Sequence, residues 1–177
     1  MENIVLIGFT ACGKSTTAAL IARNSARKMI DLDSVIAQLD QEAKDLTEPR
    51  TCRDIFHIDG VDYFRELENT ALKSLENESN VVISTGGGAA IVEENKQLIK
   101  KLGRIVCLRA NVKILFERMV RGKGLPAYLF DNPTPEGLEE VYAAREPIYE
   151  SQAEFTFDTD DASPEEIAQK ILQSIDK

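Results

Sequence analysis

The segment 8–16, Gly-Phe-Thr-Ala-Cys-Gly-Lys-Ser-Thr, constrains the fold more than any other part of this chain. It matches the phosphate-binding pattern G-x-x-x-x-G-K-[ST] and directly follows the apolar run 4–7, which is the strand–loop–helix context that the pattern requires. Glycines let backbone N–H groups approach phosphate oxygens, and a helix that begins near Lys14 adds its positive end to the same place. The segment therefore predicts a nucleotide-phosphate site.

Individual residues of this loop have separate predicted tasks. Lys14 is long enough to reach the β- and γ-phosphates, and the Ser15 hydroxyl is suited to ligating Mg²⁺. The other predicted nucleotide-binding residues of the loop share a position around the phosphates: Gly8, Ala11, Cys12, Gly13 and Thr16.

Length and charge limit the class of protein. A chain of 177 residues predicts one domain, 1–177. A net charge of −9 argues against nucleic acid or an anionic membrane as a partner. Three widely spaced cysteines fit neither a disulfide framework nor a zinc site. Because the first apolar run is too short for a signal peptide and no segment approaches about 18 apolar residues, we expect a cytoplasmic protein with reduced thiols, acting as a monomer.

Strand-like and helix-like segments alternate along most of the chain. The predicted strands are 4–7, 28–31, 81–84, 104–108 and 154–157. The predicted helices are 14–25, 63–75, 92–102, 112–121, 135–150 and 164–175. Repeated βα units predict a three-layer α/β fold with a five-stranded parallel sheet, whose ligands bind at the carboxyl ends of the strands.

Two stretches interrupt this alternation. Residues 34–60 form a long excursion between the second and third strands. Residues 122–137 are rich in Gly and Pro, and they form either a lid over the site or a disordered surface loop.

Two acidic residues, Asp31 and Asp33, close the second predicted strand. At positions i and i+2 of a strand end, their carboxylates are expected to point the same way, towards the phosphate loop. One of them suits Mg²⁺, and the other suits a hydrogen bond or a proton from a hydroxyl substrate. The alternative is structural, with Asp33 or Ser34 capping the helix that follows.

The third predicted strand ends in Ser84-Thr85-Gly86-Gly87-Gly88. Three glycines after a buried strand indicate a backbone that comes very close to another group, which we expect to be the second substrate. The strand lacks the terminal acidic residue typical of GTPases and motor ATPases, and this favours a small-molecule kinase.

Four other polar residues receive predictions. Arg65 and Glu68 are three positions apart, so they can meet on one helix face, with a solvated surface pair as the alternative. Arg145 alone is typical of a helix surface. The only histidine, His57, is predicted to be a surface or packing residue rather than a catalyst.

Taken in order, these motifs resemble those of the shikimate kinase family over nearly the whole chain. The resemblance rests on the phosphate loop, the two aspartates, the pattern Ile55-Phe56…Gly60…Phe64-Arg65-x-x-Glu68, the glycine triplet and Arg145…Tyr149. It implies a nucleoside-monophosphate-kinase-like P-loop fold with a substrate-binding insertion at 34–62 and a lid at 120–137. It further implies ATP-dependent phosphorylation of the 3-hydroxyl of shikimate, with Mg²⁺ as cofactor.

The resemblance also assigns roles to residues. Asp33 would hold the ring hydroxyls as candidate base, while Arg65 and Arg145 would clamp the carboxylate with their guanidinium forks. Ser15 and Asp31 would serve Mg²⁺, and Arg118 would stack on adenine. The implied shikimate contacts are Asp33, Arg65, Gly86, Gly87, Gly88 and Arg145.

The chain departs from the family pattern in the lid and the insertion. The family carries Arg-Pro-Leu-Leu in the lid, with the arginine reaching the transferred phosphate, whereas this chain has Leu125-Pro126-Ala127-Tyr128. Arg121 or Lys123 are the candidates to replace that arginine. Val61 stands where the family has Glu after glycine, and 38–54 is longer than the family pattern. These departures leave two alternatives: a kinase for another polyhydroxy acid such as gluconate, or a nucleotide-binding protein without phosphotransfer.

Overall fold

The computed structural model describes residues 2–122, 124–126, 129 and 132–175. Its five strands form one sheet in the order β2-β3-β1-β4-β5, and every neighbouring pair is parallel. The strands are β1 (Ile4–Gly8), β2 (Lys28–Asp31), β3 (Val81–Ser84), β4 (Arg104–Arg109) and β5 (Phe155–Asp158). The predicted parallel sheet is confirmed, and each strand end lies within one residue of its predicted position.

Helices cover the sheet and complete a three-layer α/β architecture, as predicted. In the described part of the chain they are α1 (Lys14–Ser25), α2 (Leu32–Ala43), α3 (Cys52–Ser74), α4 (Glu93–Leu102), α5 (Val112–Arg121), α6 (Pro135–Glu150) and α7 (Pro164–Ile175), with a 3₁₀ turn at Ala89–Ile91. Helices α1 and α7 pack on each other, while α4 and α6 contact β1. No helix in the described ranges combines the length and apolar character needed to cross a bilayer.

Burial explains why the central strands form. Every residue of β1 and of β3 is buried, which matches apolar, β-branched runs that carry helices on both faces. At the end of β1, Gly8 has φ +133, and a Cβ there would lie 2.1 Å from the carbonyl oxygen of Leu108. Glycine therefore lets β1 and β4 remain close where the phosphate loop begins.

The excursion 34–60 is more ordered than its sequence pattern indicated. It contains α2 and the first part of α3, which begins eleven residues before the predicted helix start at Tyr63. A capping box in which Thr51 and Asp54 bond reciprocally starts α3, and Gly60 at φ 86 interrupts it. This left-handed glycine breaks the helical pattern between the two parts, so the sequence indicated only the second part.

The N-cap of α2 is not the residue that the sequence offered as a structural alternative. Asp31 is the N-cap, and its Oδ1 accepts a hydrogen bond from the backbone N–H of Asp33 at 3.0 Å. Asp33 lies in the first turn of α2 rather than on the strand, so the two carboxylates come from a strand end and a helix start. Neither Asp33 nor Ser34 is the cap. At the other end of the chain, Ser163 and Glu166 form a capping box that starts α7.

Candidate active site

The phosphate loop holds its lysine inside its own curve. Gly13 precedes α1 with φ 98, and Ala11 also has a positive φ of 65, so successive backbone groups of the loop turn inwards. Lys14 is buried, and its Nζ donates to the carbonyl oxygens of Gly8 at 2.9 Å and Phe9 at 2.7 Å. Its ammonium therefore faces only neutral acceptors in these bonds, and its positive charge is available to an anion in the loop.

Beside the loop, oxygen atoms from three elements converge. The Ser15 hydroxyl lies 3.1 Å from Asp31 Oδ2 and 3.2 Å from the Ser84 hydroxyl, because the ends of β2 and β3 pair in register next to the start of α1. Hydroxyl and carboxylate oxygens are ligands suited to Mg²⁺, which usually keeps several waters and takes substrate phosphates as further ligands. No group of three or more His, Cys, Asp or Glu side chains that would form an all-protein metal cage occurs among the described residues.

Each glycine of the triplet makes room for a different polar group. A Cβ on Gly86 would lie 2.8 Å from Asp33 Oδ1, and one on Gly87 would lie 2.4 Å from the Thr10 hydroxyl oxygen. A Cβ on Gly88 would lie 3.0 Å from Arg65 Nη2. The close approach predicted from the sequence is therefore made to the protein's own side chains, which in turn line the cavities described below.

Arg65 is half of a partly buried ion pair rather than of a solvated one. Its Nη1 donates to Glu68 Oε2 at 2.6 Å, and the Glu68 side chain is only 2% exposed. Asn95 of α4 donates to the same carboxylate oxygen at 2.9 Å. Burial raises the pKa of Glu68, while the charge of Arg65 opposes that rise. The pair fixes the Arg65 guanidinium from behind, and the solvated-surface alternative is wrong.

Helix α6 brings a second arginine to the same region. The Arg145 guanidinium carbon lies 5.8 Å from the centre of the Phe9 ring, within range of a cation–π contact. Four residues later, the Tyr149 hydroxyl donates to the carbonyl oxygen of Gly87. Helix α6 is thereby joined to the glycine triplet, and Arg145 faces the same cavity as Arg65.

Two adjoining cavities account for most of the predicted site residues. The larger, about 630 Å³, is lined by residues 10–17 of the phosphate loop and by Arg118. The smaller, about 370 Å³, is lined by Arg65 and Arg145 together with Cys52, Arg53, Phe56, Val61, Phe64, Glu68, Gly88 and Pro126. Both cavities also include Thr10, Asp33, Gly86 and Gly87 in their walls. A phosphoryl donor in one cavity and an acceptor in the other would therefore meet at Asp33.

Arg118 lines the larger cavity beside the loop. Its guanidinium donates to the carbonyl oxygens of Thr159 at 2.9 Å and Ala11 at 3.4 Å, which ties α5 to the loop and to the end of β5. Cys107 serves packing, since it is buried and burial raises its pKa to about 12. His57 is an exposed residue of α3 and packs its ring edge against Phe56, so it lies on the surface as predicted.

Part of the predicted lid, including Lys123, Ala127 and Tyr128, lies outside the described residues. Arg121 is exposed and bonds to Glu117 on its own helix at 3.4 Å. The Leu125 side chain brings no charge, but its carbonyl oxygen accepts a hydrogen bond from Arg53 at 3.1 Å.

Three residues of the site were given no role from the sequence alone. Thr10 lies at a variable position of the loop pattern, and Asn95 reaches Glu68 from a helix 27 positions away. Arg53 lies in the excursion that was not predicted as helix, and the capping box at residues 51–54 was the signal that would have placed it on α3.

A phosphate loop at the end of β1, an adjacent hydroxyl–carboxylate pair and a second, arginine-lined cavity together define a P-loop kinase that acts on a small molecule. The shikimate kinase family model matches residues 10–176. The chain therefore belongs to the shikimate kinase family.

Relatives in sequence and structure agree with this assignment. Shikimate kinase from Thermodesulfovibrio yellowstonii is 35% identical over 177 residues, covering 100% of this chain and 96% of the relative. Shikimate kinase from Thermoanaerobacter pseudethanolicus is 33% identical over 174 residues, covering 98% and 96%. The structure of shikimate kinase from Acinetobacter baumannii in complex with shikimate superposes with a TM-score of 0.85 at 30% identity, covering 99% of this chain and 93% of that one.

Proposed function

We propose that the protein transfers the γ-phosphoryl group of ATP to the 3-hydroxyl of shikimate, giving shikimate 3-phosphate and ADP. The observation that carries this proposal is the wall shared by the two cavities, where Asp33 lies between the phosphate loop and the arginine-lined cavity. Membership of the shikimate kinase family supports the same reaction, and a structural neighbour from that family is in complex with shikimate.

ATP is assigned to the larger cavity. The backbone N–H groups of residues 8–16 and the start of α1 hold its phosphates, while Lys14 neutralises charge on the β- and γ-phosphates. Arg118, which lines the same cavity, stacks on adenine. Ser15 and Asp31 would hold Mg²⁺, which would supply positive charge to offset the negative charge that develops on the phosphates. The hydroxyl–carboxylate geometry beside the loop fits a cation of this kind.

Shikimate is assigned to the smaller cavity. Its carboxylate lies between Arg65 and Arg145, whose planar forks suit bidentate binding. Glu68 and Asn95 hold the Arg65 guanidinium in place through the buried ion pair. The carboxylate thus fixes one end of the ring.

Asp33 acts at the other end of the ring, where the cavities meet. It accepts the proton of the 3-hydroxyl as the new O–P bond forms and the bond between the γ-phosphorus and the ADP oxygen breaks. A Cβ on Gly86, Gly87 or Gly88 would displace Asp33, Thr10 or Arg65, so the three glycines let these groups keep the positions that the transfer requires.

We also propose that the enzyme works as a cytoplasmic monomer. Large exposed apolar side chains among the described residues are few, namely Ile58, Val61 and Val120. A net charge of −9 adds repulsion between copies. Sedimentation at several protein concentrations would show a mass independent of concentration.

Release of ADP from ATP, with and without shikimate, tests the proposed function. We expect a saturable rate that requires both shikimate and Mg²⁺, and gluconate at the same concentration should give no rate above background. If gluconate or another hydroxy acid is turned over and shikimate is not, the assignment of the acceptor is wrong. If ATP binds and no acceptor gives turnover, the protein is not a kinase.

A further inference from the structure

Three arginines line the acceptor cavity, one more than a single carboxylate needs. Arg65 is paired with Glu68 at 2.6 Å, and Arg145 lies over the Phe9 ring. The proposed function, on which this inference rests, uses these two for the shikimate carboxylate. The third cation, Arg53, is left without an assigned anion, although it lines the same cavity.

Arg53 is held by neutral groups of the lid. It occupies the first turn of α3, and its Nη2 donates to the carbonyl oxygens of Leu125 at 3.1 Å and Gly124 at 3.3 Å. None of the ion pairs within the described part of the chain includes Arg53. Carbonyl oxygens leave its full positive charge in place, so the guanidinium can also bind an anion.

The lid residues that hold Arg53 pass from one cavity to the other. Gly124 lines the nucleotide cavity, and Pro126 lines the acceptor cavity. Arg53 bonds to the lid immediately before Pro126, so its guanidinium lies next to the lid segment that runs between the two cavities. It reaches this place from α3, on the acceptor side.

Among the described residues, Lys14 and Arg118 are the cations that line the nucleotide cavity. Lys14 lies within the phosphate loop, and Arg118 is tied to Thr159 and Ala11. In phosphoryl transfer, charge spreads over the three equatorial oxygens of the moving group, and an arginine placed beside them stabilises that charge. Leu125 has no charge to supply there, whereas Arg53 lies against its backbone.

We propose that Arg53 is a catalytic residue that binds the transferring phosphoryl group, and that it takes this position from the substrate-binding insertion while the lid backbone holds it in place. The residue that supplies the charge is therefore on α3 instead of on the lid. Neither Arg121 nor Lys123 is needed for this step.

Replacing Arg53 by glutamine tests the proposal directly. Removing one preorganised donor that acts on the transition state lowers kcat about 100- to 1000-fold. We expect a loss of this size in Arg53→Gln, with the KM values for ATP and shikimate within threefold of the parent. Arg53→Lys keeps the charge without the fork and should lose about 10-fold. Arg23→Gln is the matched control, since it removes the same charge from an exposed position of α1 and should leave kcat unchanged.

A second substitution asks whether the charge can be supplied from the lid. In the Arg53→Gln background, Leu125→Arg should restore kcat at least 10-fold, because it returns a guanidinium to the lid residue whose carbonyl oxygen Arg53 contacts. Turnover of Arg53→Gln within threefold of the parent would overturn the proposal. So would a large loss that appears only in the KM for shikimate, since Arg53 would then be a substrate clamp.

A binding measurement separates this proposal from the proposed function. Aluminium fluoride with ADP and Mg²⁺ imitates the transferring phosphoryl group without requiring an acceptor. In calorimetry, fluoroaluminate should tighten ADP binding to the parent at least 10-fold, and Arg53→Gln should lose that gain while keeping the affinity for ADP alone. If shikimate gives no turnover but this difference persists, the acceptor assignment fails and the role of Arg53 stands. If fluoroaluminate tightens ADP equally in both proteins or in neither, the role of Arg53 is refuted.

Discussion

Replacing Gly86 by alanine is expected to slow phosphoryl transfer while leaving the fold intact. A Cβ at this position would lie 2.8 Å from Asp33 Oδ1, against the 3.4 Å at which ordinary van der Waals contact begins, so the carboxylate must retreat by about 0.6 Å. Gly86 is not among the residues with positive φ, so alanine introduces no backbone strain there. Alanine has less conformational freedom than glycine in the unfolded chain, and this difference favours the folded state by about 0.4–1 kcal/mol.

The expected loss follows from the size of that movement. A misplacement of about 1 Å in a catalytic arrangement costs roughly 100-fold in rate. A shift of about 0.6 Å should therefore lower kcat about 10- to 100-fold, equivalent to roughly 1.4–2.7 kcal/mol of barrier. Initial rates of ADP release at saturating ATP, Mg²⁺ and shikimate measure the loss, and thermal unfolding followed by circular dichroism provides the control. A kcat within twofold of the parent, with a Tm no lower than that of the parent, would refute the view that Asp33 must occupy its present position beside Gly86.

Two substitutions test an arginine of the acceptor cavity and a buried carboxylate of α2. Arg65→Ala should raise the KM for shikimate about 10- to 100-fold with the KM for ATP unchanged, because a charge-assisted hydrogen bond contributes about 1.5–3 kcal/mol. Steady-state kinetics will measure both KM values. Arg65→Lys is the control, and it will show whether the positive charge alone is enough to bind the carboxylate. Asp40→Asn should lower the free energy of unfolding by about 3 kcal/mol, because Asp40 is fully buried and bonded by Arg50 at 2.6 and 2.8 Å. The hydrogen bonds from Arg50 hold the Asp40 pKa below its usual value, so this stabilisation is present at neutral pH and is lost as the pH falls below about 4. Urea unfolding at pH 7 and pH 3 will show the decline in the parent, and an equal decline in Asp40→Asn would contradict this explanation.

Features fixed by neighbouring residues could be predicted from the sequence. The phosphate loop, its strand and its helix lie within 25 residues, and the parallel sheet follows from the βα alternation because strands joined by a crossover helix pair in parallel. The cap and first turn of α7 were likewise predictable from four consecutive residues, beginning with Ser163.

Features that depend on distant partners could not be predicted. Asp40 looks like a surface residue of α2, and only the fold brings Arg50 and Tyr63 to its carboxylate. Arg53 is 72 positions from Leu125, so nothing in either neighbourhood indicates that the two meet. These contacts depend on how α2, α3 and the lid are placed relative to one another, and the periodicity of the sequence does not specify that placement.

Substitutions at two glycines of the triplet are expected to separate an effect on turnover from an effect on substrate affinity. A Cβ on Gly88 would lie 3.0 Å from Arg65 Nη2 and 3.2 Å from Nη1, so Gly88→Ala displaces the carboxylate clamp rather than Asp33. We therefore expect this variant to raise the KM for shikimate about 10-fold and to change kcat less than threefold, the reverse of the pattern for Gly86→Ala. Kinetics of both variants under the same conditions make the comparison. If the two variants lose kcat equally, the triplet acts as one rigid wall and its glycines do not position separate groups.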